Sequence, residues 1–120
     1  MRIALLGGTG DIGKGLALRW GHDTDHDIIL GSRDPEKARA AADEYQEILT
    51  DHGVETKITG FVNEMAADRA DVAVLAVPAY HLTDTVEAVA EKLDDTVLVT
   101  PAVGMKRDDD GFHYNPPPAG

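Results

Sequence analysis

Cysteine is absent from the sequence. Disulfide staples, thiolate metal sites and cysteine nucleophiles are therefore excluded. No apolar run approaches the roughly 18 residues that a membrane-crossing helix needs. The start, Met1-Arg2-Ile3-Ala4-Leu5-Leu6-Gly7, lacks the longer apolar core and cleavage site of a secretory signal. The chain is read as soluble and cytoplasmic. Bases are few: 11 Lys and Arg stand against 22 Asp and Glu, for a net charge of −11. Such a field repels nucleic acid and anionic lipid, so neither is expected as a partner. No internal repeat is visible.

What is present suits one folded domain. The chain has 120 residues, and 28 of them are Leu, Ile, Val or Phe. A domain of this size buries about two-thirds of its unfolded surface, enough for one core. Residues 1–7 form an unbroken apolar run after Arg2, which suits a strand buried on both faces of a parallel sheet. Residues 11–20 carry Ile12, Leu16 and Trp20 at helical spacing, with Gly21 as the stop. A second strand spans 27–31. Asp34 then caps a helix that Pro35 opens and that runs to about Asp51. A weakly alternating strand follows at 55–62 and a short helix at 63–69. Residues 71–77 form another apolar strand ended by Pro78. A helix at 81–93 and a strand at 96–100 complete the series.

Strands alternating with helices predict an α/β, Rossmann-like doubly wound parallel sheet in the order 3-2-1-4-5. Residues 1–107 make up this domain. Residues 108–120 contain Asp108-Asp109-Asp110-Gly111 and Pro116-Pro117-Pro118, which do not continue a sheet and are expected as a mobile or extended tail.

The chemistry concentrates at the first turn. Gly8-Thr9-Gly10-Asp11-Ile12-Gly13 is a Gly-x-Gly-x-x-Gly placed directly after a buried strand and opening a helix. Gly8 permits the tight turn, Gly10 lets the backbone approach a diphosphate, and Gly13 lets helix and strand lie close. The helix amides then face the phosphates. An NAD site usually puts Asp or Glu about 20 residues on, against the ribose 2′-hydroxyl. Here that position is Arg33, within Gly31-Ser32-Arg33. A guanidinium matches a 2′-phosphate, Ser32 adds a hydrogen bond, and Lys37 is a second cation one helical turn on. NADP is the expected dinucleotide. The rival is that Arg33 and Lys37 are ordinary surface bases paired with Asp34 or Glu36, and the competing acid for an NAD site is Asp34, one residue late. Ligands in such folds lie beyond the carboxyl ends of the strands, so Ala76, Val77 and Pro78 should flank the ribose and nicotinamide.

Other candidates carry less. His22-Asp23-Thr24-Asp25-His26-Asp27 has metal-ligand residue types but lies at the opposite end of the sheet, where a solvated acidic turn is the simpler reading. No metal is expected. His81 either orients a substrate or is a surface or capping histidine. No Tyr-x-x-x-Lys pair, nucleophile elbow or Walker lysine occurs. No catalytic side chain is assigned, which fits a reaction in which coenzymes carry the hydride and the protein positions them.

The sequence resembles the F420:NADP oxidoreductases, NADPH-dependent enzymes of the deazaflavin coenzyme F420. The match runs through residues 1–10, Gly13-Lys14-Gly15-Leu16-Ala17-Leu18-Arg19, Gly31-Ser32-Arg33, Glu36-Lys37-Ala38, Ile58-Thr59-Gly60, Asn63-Glu64, Ala73-Val74-Leu75 and Gly111-Phe112. The resemblance implies hydride transfer between reduced coenzyme F420 and NADP, with Thr9, Ser32, Arg33 and Lys37 on the dinucleotide. Members of that family are longer and add a helical part that shapes the deazaflavin pocket and a homodimer. This sequence is therefore read as C-terminally truncated, with small-molecule coenzymes as partners. An Asp-rich, Lys-poor composition, 15 Asp against five Lys, also resembles that of salt-loving archaea. Two rivals stay open: an NADP-dependent reductase of the pyrroline-5-carboxylate reductase type, and a non-catalytic module that senses NADP.

Overall fold

The apolar stretches read from the sequence become the middle strands of one parallel sheet. The computed structural model describes residues 1–77, 82–92, 96–100, 105–108 and 111–114, the last two stretches by their backbone. Strand β1 (Arg2–Leu6) pairs with β2 (Asp27–Ser32) on one side and β4 (Val72–Leu75) on the other. Beyond them lie β3 (Ile58–Val62) and β5 (Val97–Val99). The order is β3-β2-β1-β4-β5, as expected. The helices between strands are α1 (Asp11–Asp23), α2 (Pro35–Asp51), α3 (Asn63–Arg69) and α4 (Leu82–Val89), which tightens into a 3₁₀ turn at Ala90–Lys92. Among the described residues no helix is long and apolar enough to cross a membrane.

The sheet splits the single expected core into two layers. Alternate residues of each strand face opposite ways. Ile3, Leu5, Ile28, Leu30 and Val74 pack with Ala17, Ala42, Tyr45 and Leu49 from α1 and α2. Ala4, Leu6, Ile29, Ala73 and Leu75 pack with Ala66, Ala67, Ala70 and Val89. Burying a Leu or Ile side chain fully is worth about 1.5–3 kcal/mol, so the middle strands are apolar at every position because both faces are covered. Alanine fills the helix side of the second layer, which lets α3 lie close on the sheet.

Several boundaries differ from the sequence reading. Gly21 does not stop α1, which continues to Asp23 with Thr24 as its C-cap. A Cβ at Gly21 would lie 2.6 Å from Leu49 Cδ1, so the glycine serves the contact between α1 and α2. Strand β3 begins at Ile58 rather than residue 55, where the first buried side chain joins the core. Strand β4 ends at Leu75, before Pro78, and α4 gives way at Ala90. Next to the expected tail, β6 (Met105–Asp108) and β7 (Gly111–Tyr114) form an antiparallel hairpin apart from the main sheet, and residues 109–110 and 115–120 lie outside the described residues.

Candidate functional site

The turn between β1 and α1 is held in place from three directions. Gly7 adopts φ +76, a left-handed conformation that favours glycine, and a Cβ there would lie 2.2 Å from Val77 Cγ1. Its N–H donates to Asn63 Oδ1 at 3.2 Å. The Gly8 N–H donates to the Gly31 carbonyl at 2.9 Å, and the Gly8 carbonyl accepts the Tyr45 hydroxyl at 3.2 Å. A Cβ at Gly13 would lie 2.4 Å from Gly8 Cα, so helix and turn touch backbone to backbone.

Gly10 is different. A Cβ there would meet only the Gly7 carbonyl, at 3.8 Å, so nothing in the protein's own packing demands glycine. Its surface faces open space. Gly10 is also the N-cap of α1, and no side chain caps it. The N–H groups of Asp11, Ile12 and Gly13 belong to the first helical turn and have no intrahelical acceptor. Asp11 and Ile12 are exposed, and Ile12 is 42% so although apolar. Open space beside an uncapped helix start has the shape and polarity that a diphosphate requires.

The tip of β2 supplies the neighbouring chemistry. Ser32 is buried, and its Oγ accepts the Asp34 N–H at 3.2 Å, which leaves its own proton to donate. Asp34 also lines the cleft, and its carboxylate is engaged in capping α2, accepting the Glu36 N–H at 2.9 Å. Arg33 and Lys37 are exposed, and among the described residues neither is ion-paired. Pairing with Asp34 or Glu36, the rival reading, is not seen. Thr9, Ser32, Arg33, Lys37 and Val77 line one cleft of about 280 Å³ at the carboxyl end of the sheet.

Not every candidate reaches that cleft. Gly8 and Gly13 are buried in the packing of the turn. Ala76 is buried beneath Gly7, its N–H on the Leu6 carbonyl at 2.8 Å. Pro78 and His81 lie outside the described residues. His22 hydrogen-bonds Asp23 at 2.7 Å on the surface, and among the described residues no three His, Asp or Glu are grouped to hold a metal.

The model of the family described as NADP oxidoreductase, coenzyme F420-dependent, matches residues 2–104. The chain belongs to this family. The F420-dependent NADP reductase of Methanocaldococcus jannaschii is 43% identical over 105 residues, which are 88% of this chain and 46% of that protein. That of Methanothermobacter marburgensis is 43% identical over 103 residues, 86% of this chain and 45% of that protein. The chain thus spans less than half the length of these relatives. A solved structure described as an F420-dependent NADP reductase from Arthrobacter superposes with TM-score 0.69 at 27% identity, covering 95% of this chain and 51% of the other. Malate dehydrogenase of Plasmodium falciparum, solved with NADH, superposes with TM-score 0.68 at 23% identity over 87% of this chain and 36% of its own. It shares the fold.

In this coenzyme F420-dependent oxidoreductase family member, two residues of the site were not singled out from sequence. Asn63 joins the cleft from the start of α3 and holds Gly7. Its sequence signal was only a place in the family match. Tyr45 braces the turn from α2, two helical turns beyond Lys37. Burial, then the charges of Glu44 and Asp11, push its phenol pKa above the ordinary tyrosine value. It stays protonated and donates.

Proposed function

We propose that this chain is the dinucleotide-binding half of a reductase that passes a hydride between reduced coenzyme F420 and NADP. The observation that carries the reading is a pair of cations, Arg33 and Lys37, without ion-pair partners among the described residues, beside the buried Ser32 hydroxyl in the cleft of the glycine turn. The names of the relatives support the same chemistry.

Each residue then has a task. Gly8, Gly10 and Gly13 shape the turn, and the amides of Asp11, Ile12 and Gly13 receive the diphosphate. Thr9 closes over it. Ser32, Arg33 and Lys37 hold the 2′-phosphate of the adenosine ribose. Val77, which lines the cleft, borders the nicotinamide. When bound, the deazaflavin of F420 supplies or receives the hydride. The chain's own residues position the dinucleotide, and no side chain has to move a proton. The five-stranded sheet is the nucleotide unit. The deazaflavin pocket and the homodimer are assigned to the portion of the relatives that this chain does not span. The aspartate-rich, lysine-poor surface fits a salt-loving source and a cytoplasmic location.

Two measurements test this. Quenching of intrinsic fluorescence should show NADP bound more tightly than NAD. Arg33→Ala should weaken NADP by about 10- to 100-fold and NAD by less than about twofold, since a hydrogen bond to a charged group contributes about 1.5–3 kcal/mol. Equal losses would remove the assignment. Hydride transfer is read in the complete gene product, from the visible deazaflavin band. Its return on adding NADP to reduced F420 supports the reading. A reductase of pyrroline-5-carboxylate would leave the band unchanged.

A further inference from the structure

Among the described residues most Lys and Arg side chains have no carboxylate partner, Lys14 and Arg19 excepted. Three such side chains meet at the end of the sheet opposite the dinucleotide cleft. Arg2 opens β1, Lys57 immediately precedes β3, and Arg69 closes α3. They line a second cleft, of about 200 Å³. Because the strands are parallel, this end lies about 15 Å of strand away from the glycine turn. Among the described residues none of the three is ion-paired. Among the described residues Asp27 is the one acid that lines this cleft, and it pairs with none of them, while Arg2 also borders a neighbouring cleft with Asp68, Asp71 and Glu91 and donates its backbone N–H to Asp71 Oδ2 at 2.8 Å.

The remaining lining makes the cations more effective. Buried Ile29 and half-buried Phe61 supply apolar walls. The Arg69 guanidinium lies 4.5 Å from the centre of the Phe61 ring, which restrains its planar fork. Charges beside apolar surface are less screened than charges in open water. Arginine forks match the oxygens of phosphoryl and carboxylate groups in pairs. The cleft is smaller than the ~300–1,000 Å³ of sites for drug-sized ligands, so its occupant is compact.

We infer that Arg2, Lys57 and Arg69 form a binding site for a compact oxyanion, a phosphoryl or carboxylate group, separate from the dinucleotide cleft. The site stands on its own residues, whatever coenzyme the glycine turn takes.

Titration of the ¹⁵N-labelled chain tests it, with inorganic pyrophosphate in one arm and succinate in the other. Sodium chloride holds the ionic strength constant. The amides of Thr59, Phe61 and Arg69 should shift and saturate, and the arm that saturates at lower concentration names the anion class. The amides of Gly10 and Ile12 report the other cleft in the same spectra. Lys57→Ala and Arg69→Gln should each weaken binding by about tenfold, the loss expected for one charge-assisted contact. Asp27→Asn should tighten it, because the carboxylate that lines this cleft is gone. Lys57 and Asp27 are exposed, so these two variants leave the fold intact. Absence of saturable shifts at Thr59 and Phe61 in both arms would overturn the site. So would affinities that Lys57→Ala and Asp27→Asn leave unchanged.

Discussion

Tyr45 shows how one side chain ties the interior to the site. It is 2% exposed, its ring lies in the core with Leu5, Leu30 and Leu49, and its hydroxyl reaches the Gly8 carbonyl. Tyr45→Phe keeps the ring and orphans that carbonyl. The expected loss is about 1 kcal/mol in urea unfolding at neutral pH. The same residue sets a pH response. Its folded pKa is raised, so the unfolded chain loses the phenol proton first as pH passes about 10. The unfolded state then binds fewer protons than the native one, and stability falls as pH rises further. Urea midpoints measured between about pH 9 and 11 should decline less steeply in Tyr45→Phe than in the parent. Parallel slopes would mean that Tyr45 has no part in this decline.

At the scale of the element, α1 separates glycines of different purpose. Gly15 lies inside the helix with nothing within 4 Å of a Cβ, so Gly15→Ala should stabilise by roughly 0.5–1 kcal/mol. Gly13→Ala drives a methyl into the Gly8 backbone and should cost about 1–3 kcal/mol, with dinucleotide binding lost in step. Thermal melts of the two variants should move in opposite directions. At the start of α2, Asp34→Ala removes the one side-chain cap and should cost about 1 kcal/mol. Asp34 and Pro35 were legible in the sequence because a cap acts within three residues. Gly21 was misread because a glycine stop and a glycine at a helix crossing look alike locally. Only the distant Leu49 tells them apart. The Asn63 bond to Gly7 spans 56 residues, and no local pattern carries that information.

Across the whole molecule, the strand order was readable because buried parallel strands are apolar throughout and the helices between them are amphipathic. The hairpin β6–β7 was not, since Asp108-Asp109-Asp110-Gly111 and the prolines that follow read in sequence as a tail. The net charge of −11 acts at this scale too. The Debye length shrinks from about 10 Å at 0.1 M salt to 3 Å at 1 M, so mutual repulsion among the carboxylates fades. The melting temperature should rise over that range, and an unchanged value would remove the case for salt adaptation. One consequence concerns α2, which bears Asp34 at its cap, Lys37 in its first turn and Tyr45 farther along. On the proposed function, grip on the diphosphate and choice between phosphorylated and plain coenzyme are thus mounted on one rod. Re-engineering coenzyme preference by exchanging the β2 tip alone should therefore stall, and variants that switch cleanly should carry compensating changes along this helix.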